Sequence, residues 1–170
     1  MLRIRPCQKA DAEAFAACVN AAYRCDAGFA RSWTSEKHLV DGERITAAEV
    51  EKKMADSKER LFVAESENAI VGTFAIVPED ETSAHISLLS VHPEFQRHGF
   101  GRALIWHAEQ NANVSFLLLC VFEKRRELVE YYERRGYVRT GRRILFDEPG
   151  PHESIVAREQ LYFVELKKEV

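Results

Sequence analysis

The sequence is poor in the features that mark specialised protein classes. Its four cysteines, Cys7, Cys18, Cys25 and Cys120, form no CxxC pair and lack the density of a disulfide scaffold, so a reducing, cytoplasmic setting is expected. Basic residues are not in excess. Lys plus Arg number 24 against 27 Asp plus Glu, a net charge of −3, so no nucleic-acid backbone is expected as a partner and any anionic ligand must be bound locally. The longest apolar run, Val114 to Phe122 with Ser115 inside it, falls well short of the roughly 20 residues that cross a bilayer, so no membrane partner is expected. Met1 to Pro6 carries two arginines and no apolar core, so no secretory signal is visible, and Asn113-Val114-Ser115 is read as a chance glycosylation match. The six histidines are scattered, with His92 and His98 the closest pair across a Pro-containing loop, and no metal is expected.

With 170 residues, 46% of them hydrophobic and 30% charged, the chain can bury one core and stay soluble, and a single domain over 1–170 is expected. Disorder, collagen and coiled coil are excluded as whole-chain readings. Leu2 to Arg5 alternates as a strand, and Phe15, Cys18, Val19 and Ala22 recur at helical spacing over about 10–23. No period is sustained from Arg24 to Ile45, which reads as a long loop and a candidate substrate-facing surface. Thr46 and Glu49 form a capping box that starts a second helix near Ala47. Leu61 to Ala64 and Ala69 to Val77 read as a hairpin, Ala84 to Val91 as a strand, and 99–111 as a helix. Phe116 to Val121 reads as a strand buried on both faces. A helix through Leu128, Val129 and Tyr132 then ends at Gly136, and strands follow over Tyr137 to Phe146 and Leu161 to Leu166. The order β-α-α-β-β-β-α-β-α-β-β is that of a mixed α/β domain.

The most informative stretch runs from Leu89 to Arg102. A strand ends, His92-Pro93 turns the chain, and Gly99 and Gly101 open a helix whose unpaired N–H groups and positive dipole end make an anion cradle. Arg97 and Arg102 add charge where two phosphates would need it. No Lys-Ser or Lys-Thr follows the glycines, and Arg102-Ala103-Leu104 breaks a GxGxxG pattern. Nucleotide hydrolysis and dinucleotide binding therefore lose support.

Gln96-x-x-Gly99-x-Gly101 after an apolar strand resembles the acetyl-CoA signature of the GNAT family of N-acetyltransferases. Tyr131-Tyr132-Glu133-Arg134-Arg135-Gly136-Tyr137 is similar to that family's Tyr-x-x-x-Gly-aromatic element. The two motifs stand in order, each after its expected strand, and the element order extends the resemblance over nearly the whole chain. It implies a single-domain α/β fold with a mixed, mostly antiparallel sheet of six to seven strands, about four flanking helices, and a splay between strands four and five. The implied reaction is acetyl transfer from acetyl-CoA to a primary amine of a small molecule or peptide by direct attack in a ternary complex. A non-catalytic acyl-CoA sensor and a protein N-terminal acetyltransferase are the alternatives weighed beside it. A homodimer through exposed strands between 137 and 166 is common in such folds.

Carried over by residue, the resemblance places the pantetheine arm along Leu89 and Val91. It places the pyrophosphate on the loop of Gln96, Arg97, His98, Gly99, Phe100, Gly101 and Arg102, and Tyr132 at the thioester sulfur. Tyr131 is expected to pack elsewhere. Where the family often has asparagine seven positions before this tyrosine and alanine four before it, this chain has Arg125 and Leu128, with Arg125 expected to reach phosphate or solvent. An amine attacks only when neutral, so a base is needed, with Glu123 the first candidate and His85 and Glu65 behind it. Cys120 would open a covalent route but is expected in the core. Trp33-Thr34-Ser35-Glu36, Asp41-Gly42 and Arg44 are similar to a less common branch of the family. On chemistry alone, Tyr23 and Trp33 would wall a substrate pocket, Glu36 or Asp41 would hold a cationic amine, and Arg44 a carboxylate.

Overall fold

In the computed structural model, which describes residues 1–25 and 32–170, the apolar stripe Phe15, Cys18, Val19 and Ala22 is buried along one side of helix α1, Ala12–Arg24. Strand β1, Arg3–Pro6, precedes it. After the loop come strand β2 (Val40–Gly42), helix α2 (Ala47–Ala55), strands β3 (Arg60–Ser66), β4 (Ala69–Pro78) and β5 (Ser83–Val91), and helix α3 (Phe100–Asn111). Strand β6 (Phe116–Phe122), helix α4 (Arg126–Glu133) and strands β7 (Val138–Phe146), β8 (Glu153–Ile155) and β9 (Leu161–Glu169) complete the chain. The capping box forms as expected: Glu49 N donates to Thr46 Oγ1 at 3.3 Å and Thr46 N donates to Glu49 Oε2 at 2.8 Å. The β3–β4 hairpin turns on Glu67 and Asn68, both at positive φ, which gives the backbone twist a two-residue hairpin prefers.

Seven strands form one sheet in the order β1-β3-β4-β5-β6-β9-β7, antiparallel except where β5 meets β6. That parallel pair is short. It joins Ser83 to Phe116, Ala84 to Leu117 and His85 to Leu118, and stops. Opposite β4 the register jumps from Ala75–Ser87 to Thr73–Ser90, so Leu88, at φ 50°, and Leu89 bulge against the single residue Phe74. β5 has already stopped pairing with β6 at His85, and the bulge bends the strand further along. This is the expected splay between the fourth and fifth strands of the main sheet.

Helices α3 and α4 pack Leu104, Ala108, Val129 and Tyr132 on one face against Phe74, Ile76 and Leu117. Helices α1 and α2 pack Phe15, Val19 and Val50 on the other against Val63 and Ala75. Two expectations are corrected. The stretch expected as loop contains β2, which pairs with β8, a strand the sequence reading missed between Phe146 and Leu161. Three residues each are too few to show a period, and the pair depends on Gly42, at φ 95°, whose Cβ would stand 2.0 Å from the His152 carbonyl oxygen. The part of that loop over 26–31 lies outside the described residues. Cys120 is exposed, not core: β5 has already diverged where Cys120 stands, and that side of β6 is left open.

Candidate active site

The cradle is built by two left-handed residues. Arg97 at φ 67° and Gly99 at φ 81° turn the chain from β5 into α3, with Gly99 as the N-cap, and the first bond into the helix is Ala103 N to Gly99 O at 3.1 Å. Among the described residues, no protein acceptor takes an N–H from Arg97 to Arg102. These donors line the open end of a helix dipole, where an anion is favoured. Gly101 is required by close approach, since a Cβ there would stand 3.2 Å from the Tyr131 hydroxyl and narrow the groove.

Gln96 does a different job from the expected one. Its buried amide Nε2 donates to Val91 O at 3.0 Å and to Ser32 Oγ at 2.9 Å, and its Oε1 accepts from Trp33 N at 3.2 Å. The side chain therefore latches the substrate-side loop to the end of β5 and has no amide group left for a phosphate. His98 Nδ1 donates to Gln96 O at 2.9 Å, and Phe100 stacks on Phe95, so neither side chain lines the groove and both contribute backbone only.

The groove of about 350 Å³ runs from this cradle along Leu89 and Val91 to Tyr132. The Leu89 and Val91 carbonyls each hold one protein donor, the Tyr23 hydroxyl and the Gln96 amide. Trp33 lines this groove and not the pocket of Tyr23, a correction to the expected wall. It lies 5.2 Å from Tyr131, centroid to centroid, and the Arg135 guanidinium lies 3.4 Å from the centroid of the Tyr131 ring. Tyr131 thus lines the groove too, although it was expected to pack elsewhere.

Arg125 reaches neither phosphate nor solvent. It is buried, Nη1 donates to the carbonyls of Thr34 and Ser35 at 3.0 Å each, Nη2 donates to that of Trp33, and Nε donates to Glu127 at 2.6 Å. The replacement of asparagine by Arg125 and the Trp-Thr-Ser-Glu segment are one feature: the guanidinium holds the backbone of that segment over α4.

A second chamber, of about 420 Å³, opens on the other side of the splay. Tyr23, Glu36 and Arg44 line it as expected, together with Arg24, His85, Cys120 and Glu153. Groove and chamber share Leu89, Leu128 and Tyr132. Tyr132 is held there by the end of α4, where Tyr137 N donates to Tyr132 O at 3.2 Å and Gly136 N to Glu133 O at 3.0 Å, with Gly136 at φ 90°. That is the paired closure of a Schellman cap. Among the described residues the Tyr132 hydroxyl has no hydrogen-bond partner, and burial raises its pKa well above the ordinary tyrosine value.

The acetyltransferase (GNAT) domain family matches residues 29–148, well over half of the chain and the stretch that holds both the cradle and Tyr132. The chain belongs to the GNAT acetyltransferase family. Such acetyltransferases use acetyl-CoA. Comparison with curated protein sequences gave no match. Among solved structures, the fold is similar to the ribosomal-protein-S18-alanine N-acetyltransferase from Escherichia coli, with a TM-score of 0.74 and 14% identity over 100% of this chain and 94% of that one. It is also similar to spermidine N-acetyltransferase from Vibrio cholerae in complex with CoA and spermine, with a TM-score of 0.69 and 22% identity over 99% and 95%.

The base candidates of this GNAT chain separate cleanly. Glu123 is exposed outside both cavities, in a fork with Arg143 at 2.9 and 2.7 Å that lowers its pKa, so it is not placed to take a proton from an acceptor. Glu65 is held by Arg5 on the β1–β3 edge, and Asp41 accepts from Gly42 N at 2.8 Å outside the chamber. His85 alone of the three base candidates lines the chamber, with Nε2 against the Glu79 carboxylate. Donation from Nε2 leaves Nδ1 as the free acceptor. Sequence reasoning missed Arg24, which follows Tyr23 at the end of α1 and was readable as a neighbour, and Glu153, which had no local signal. Among the described residues, no group of three or more His, Cys, Asp or Glu is arranged to hold a metal, and no helix is long and apolar enough to cross a membrane.

Proposed function

We propose that this chain transfers an acetyl group from acetyl-CoA to a primary amine of a small molecule or peptide, by direct attack with both substrates bound. The observation that carries the reading is the meeting of groove and chamber at Tyr132, in the gap between β5 and β6. A ternary reaction needs two entrances and one meeting point.

The donor's chemistry fits the residues of the groove. Free N–H groups from Arg97 to Arg102, with the Arg97 and Arg102 side chains, suit a diphosphate, and the wall from Leu89 to Val91 suits an extended arm. Acetyl-CoA supplies an activated thioester. On the protein's side, His85, oriented by Glu79, accepts the proton the amine loses. Tyr132, kept protonated by burial, donates to the thiolate as it leaves. Cys120 stands in the chamber wall, but partial desolvation of its thiol there and the Glu165 carboxylate push it up to about 11, so little thiolate is present at neutral pH and direct attack is the simpler route.

The test is release of CoA with a panel of amines, set beside calorimetric titration with acetyl-CoA. In Tyr132→Phe, kcat is expected to fall roughly 10²- to 10⁴-fold while acetyl-CoA still binds. Wild-type protein that binds acetyl-CoA and acetylates no amine in a broad panel would instead make the fold a sensor, and equal turnover by Tyr132→Phe would remove this residue from the chemistry.

A further inference from the structure

The charges of the acceptor chamber carry information about the acceptor, given the acetyl-transfer reading above. Arg24 and Arg44 stand in its wall beside Glu36 and Glu153, and Arg125 approaches Glu36 from behind. The carboxylates are already engaged. Glu153 takes Arg24 Nη2 at 2.7 Å and Gly150 N at 3.0 Å and lies 3.9 Å from Arg44 Nε, while Glu36 lies 3.7 Å from Arg24 Nη1 and 3.9 Å from Arg125 Nη1. The two guanidiniums in the wall are only partly matched. Arg24 has a side chain only 7% exposed, yet its Nε has no partner among the described residues. The guanidinium of Arg44, 42% exposed, makes no hydrogen bond among the described residues beyond its 3.9 Å approach to Glu153. The charged side chains that line the chamber balance, Arg24, Arg44 and Lys53 against Glu36, Glu59 and Glu153, but a buried donor without an acceptor is unfavourable. The wall thus holds an unmatched buried donor on Arg24 and an open guanidinium on Arg44, while Glu36, Glu59 and Glu153 each lie against a cation.

We propose that the acceptor amine carries a carboxylate, as an amino acid does. Arg44 supplies the accessible fork for it, Arg24 supplies buried positive charge behind, and the amine is left to face Tyr132 and His85 across the chamber. Guanidinium is suited to the task because its planar donors match both carboxylate oxygens.

Matched pairs that differ only in the carboxylate test this: phenylalanine with phenethylamine, lysine with 1,5-diaminopentane, and methionine with 3-methylthiopropylamine. Each is assayed for CoA release, and each is titrated into CoA-loaded protein for binding. In wild-type protein the carboxylate-bearing member of the accepted pair is expected to show about 10- to 100-fold higher kcat/KM. Arg44→Gln is expected to erase that preference by lowering the amino acid alone, and Arg44→Lys to restore part of it, which a purely structural role would not do. Equal or better turnover of the decarboxylated amines would overturn the inference while leaving acetyl transfer standing. Amino acids that bind the CoA-loaded protein through Arg44 without being acetylated would support the inference and overturn the reaction. Failure of every pair to bind or react would overturn the inference.

Discussion

The two cavities that meet at Tyr132 are made of different material. The donor groove is largely backbone: left-handed residues at Arg97 and Gly99 set unpaired N–H groups at the head of α3, and the strand beside it comes from the same run of sequence. The acceptor chamber is made of side chains, with Arg24, Glu36, Arg44, His85 and Glu153 arriving from separate elements. Backbone donors are set by the fold and serve one ligand shape. Side chains can be exchanged one at a time without disturbing the sheet, so on the reading proposed above the chemistry common to a family belongs to the groove and the choice of acceptor to the chamber.

Arg125 links the two regions, and its loss is expected to have the largest effect. It holds the carbonyls of Trp33, Thr34 and Ser35, which brings Trp33 to the groove and Glu36 to the chamber. Arg125→Met leaves those carbonyls without their donor and Glu36 with Arg24 alone, and each buried acceptor left unsatisfied costs about 1–3 kcal/mol. Denaturant unfolding would measure it. A variant as stable as wild type would separate the two cavities and remove this link.

Next in size is Gly101→Asp, which should affect the groove alone. Its Cβ would meet the Tyr131 hydroxyl at 3.2 Å, and its carboxylate would stand among the donors meant for phosphate. Acetyl-CoA affinity is expected to fall at least about 100-fold, the loss that follows when an anion is placed against an anion and charge-assisted bonds are forfeited. Titration with acetyl-CoA and with CoA reads it directly. Unchanged affinity would mean that the phosphates lie elsewhere, and the comparison of backbone groove with side-chain chamber would lose its first term.

The same contrast explains what could be read in advance. Apart from Trp33 and Thr34, the groove's parts lie within two short stretches, 89–105 and 128–135, so spacing revealed the glycines and arginines, and the family resemblance Tyr132. The splay was legible only through the family resemblance, because neither the end of β5–β6 pairing at His85 nor the bulge at Leu88 is announced by any pattern. In the chamber, Tyr23, Glu36 and Arg44 were found because they flank an unpatterned loop, whereas Glu153 pairs with Arg24 across 129 positions and has no local mark. Gln96 and Trp33 were read into other roles than the contacts they make, since a motif gives position and not partners. Glu123 was chosen for standing just past a buried strand, and in the fold that position faces Arg143 and not the chamber.

The smallest expected effect concerns the buried charge of the chamber. Glu36 has its pKa raised, first by burial, against the opposing pull of Arg125, Arg24 and Arg44 and with a further upward push from Glu153. A carboxyl whose folded value lies above its unfolded value, about 4.3, binds its proton more tightly in the folded state. Its contribution to stability is therefore fully present below the unfolded value and is lost as pH rises through the folded one. Glu36→Gln has no proton to release, so its melting temperature minus that of wild type should increase as pH is raised from about 4 toward neutrality. Were the arginines dominant over burial, the difference would shrink over the same range. The sign of that slope thus decides whether the chamber's guanidiniums are satisfied by the protein's own carboxylates or still lack an anion.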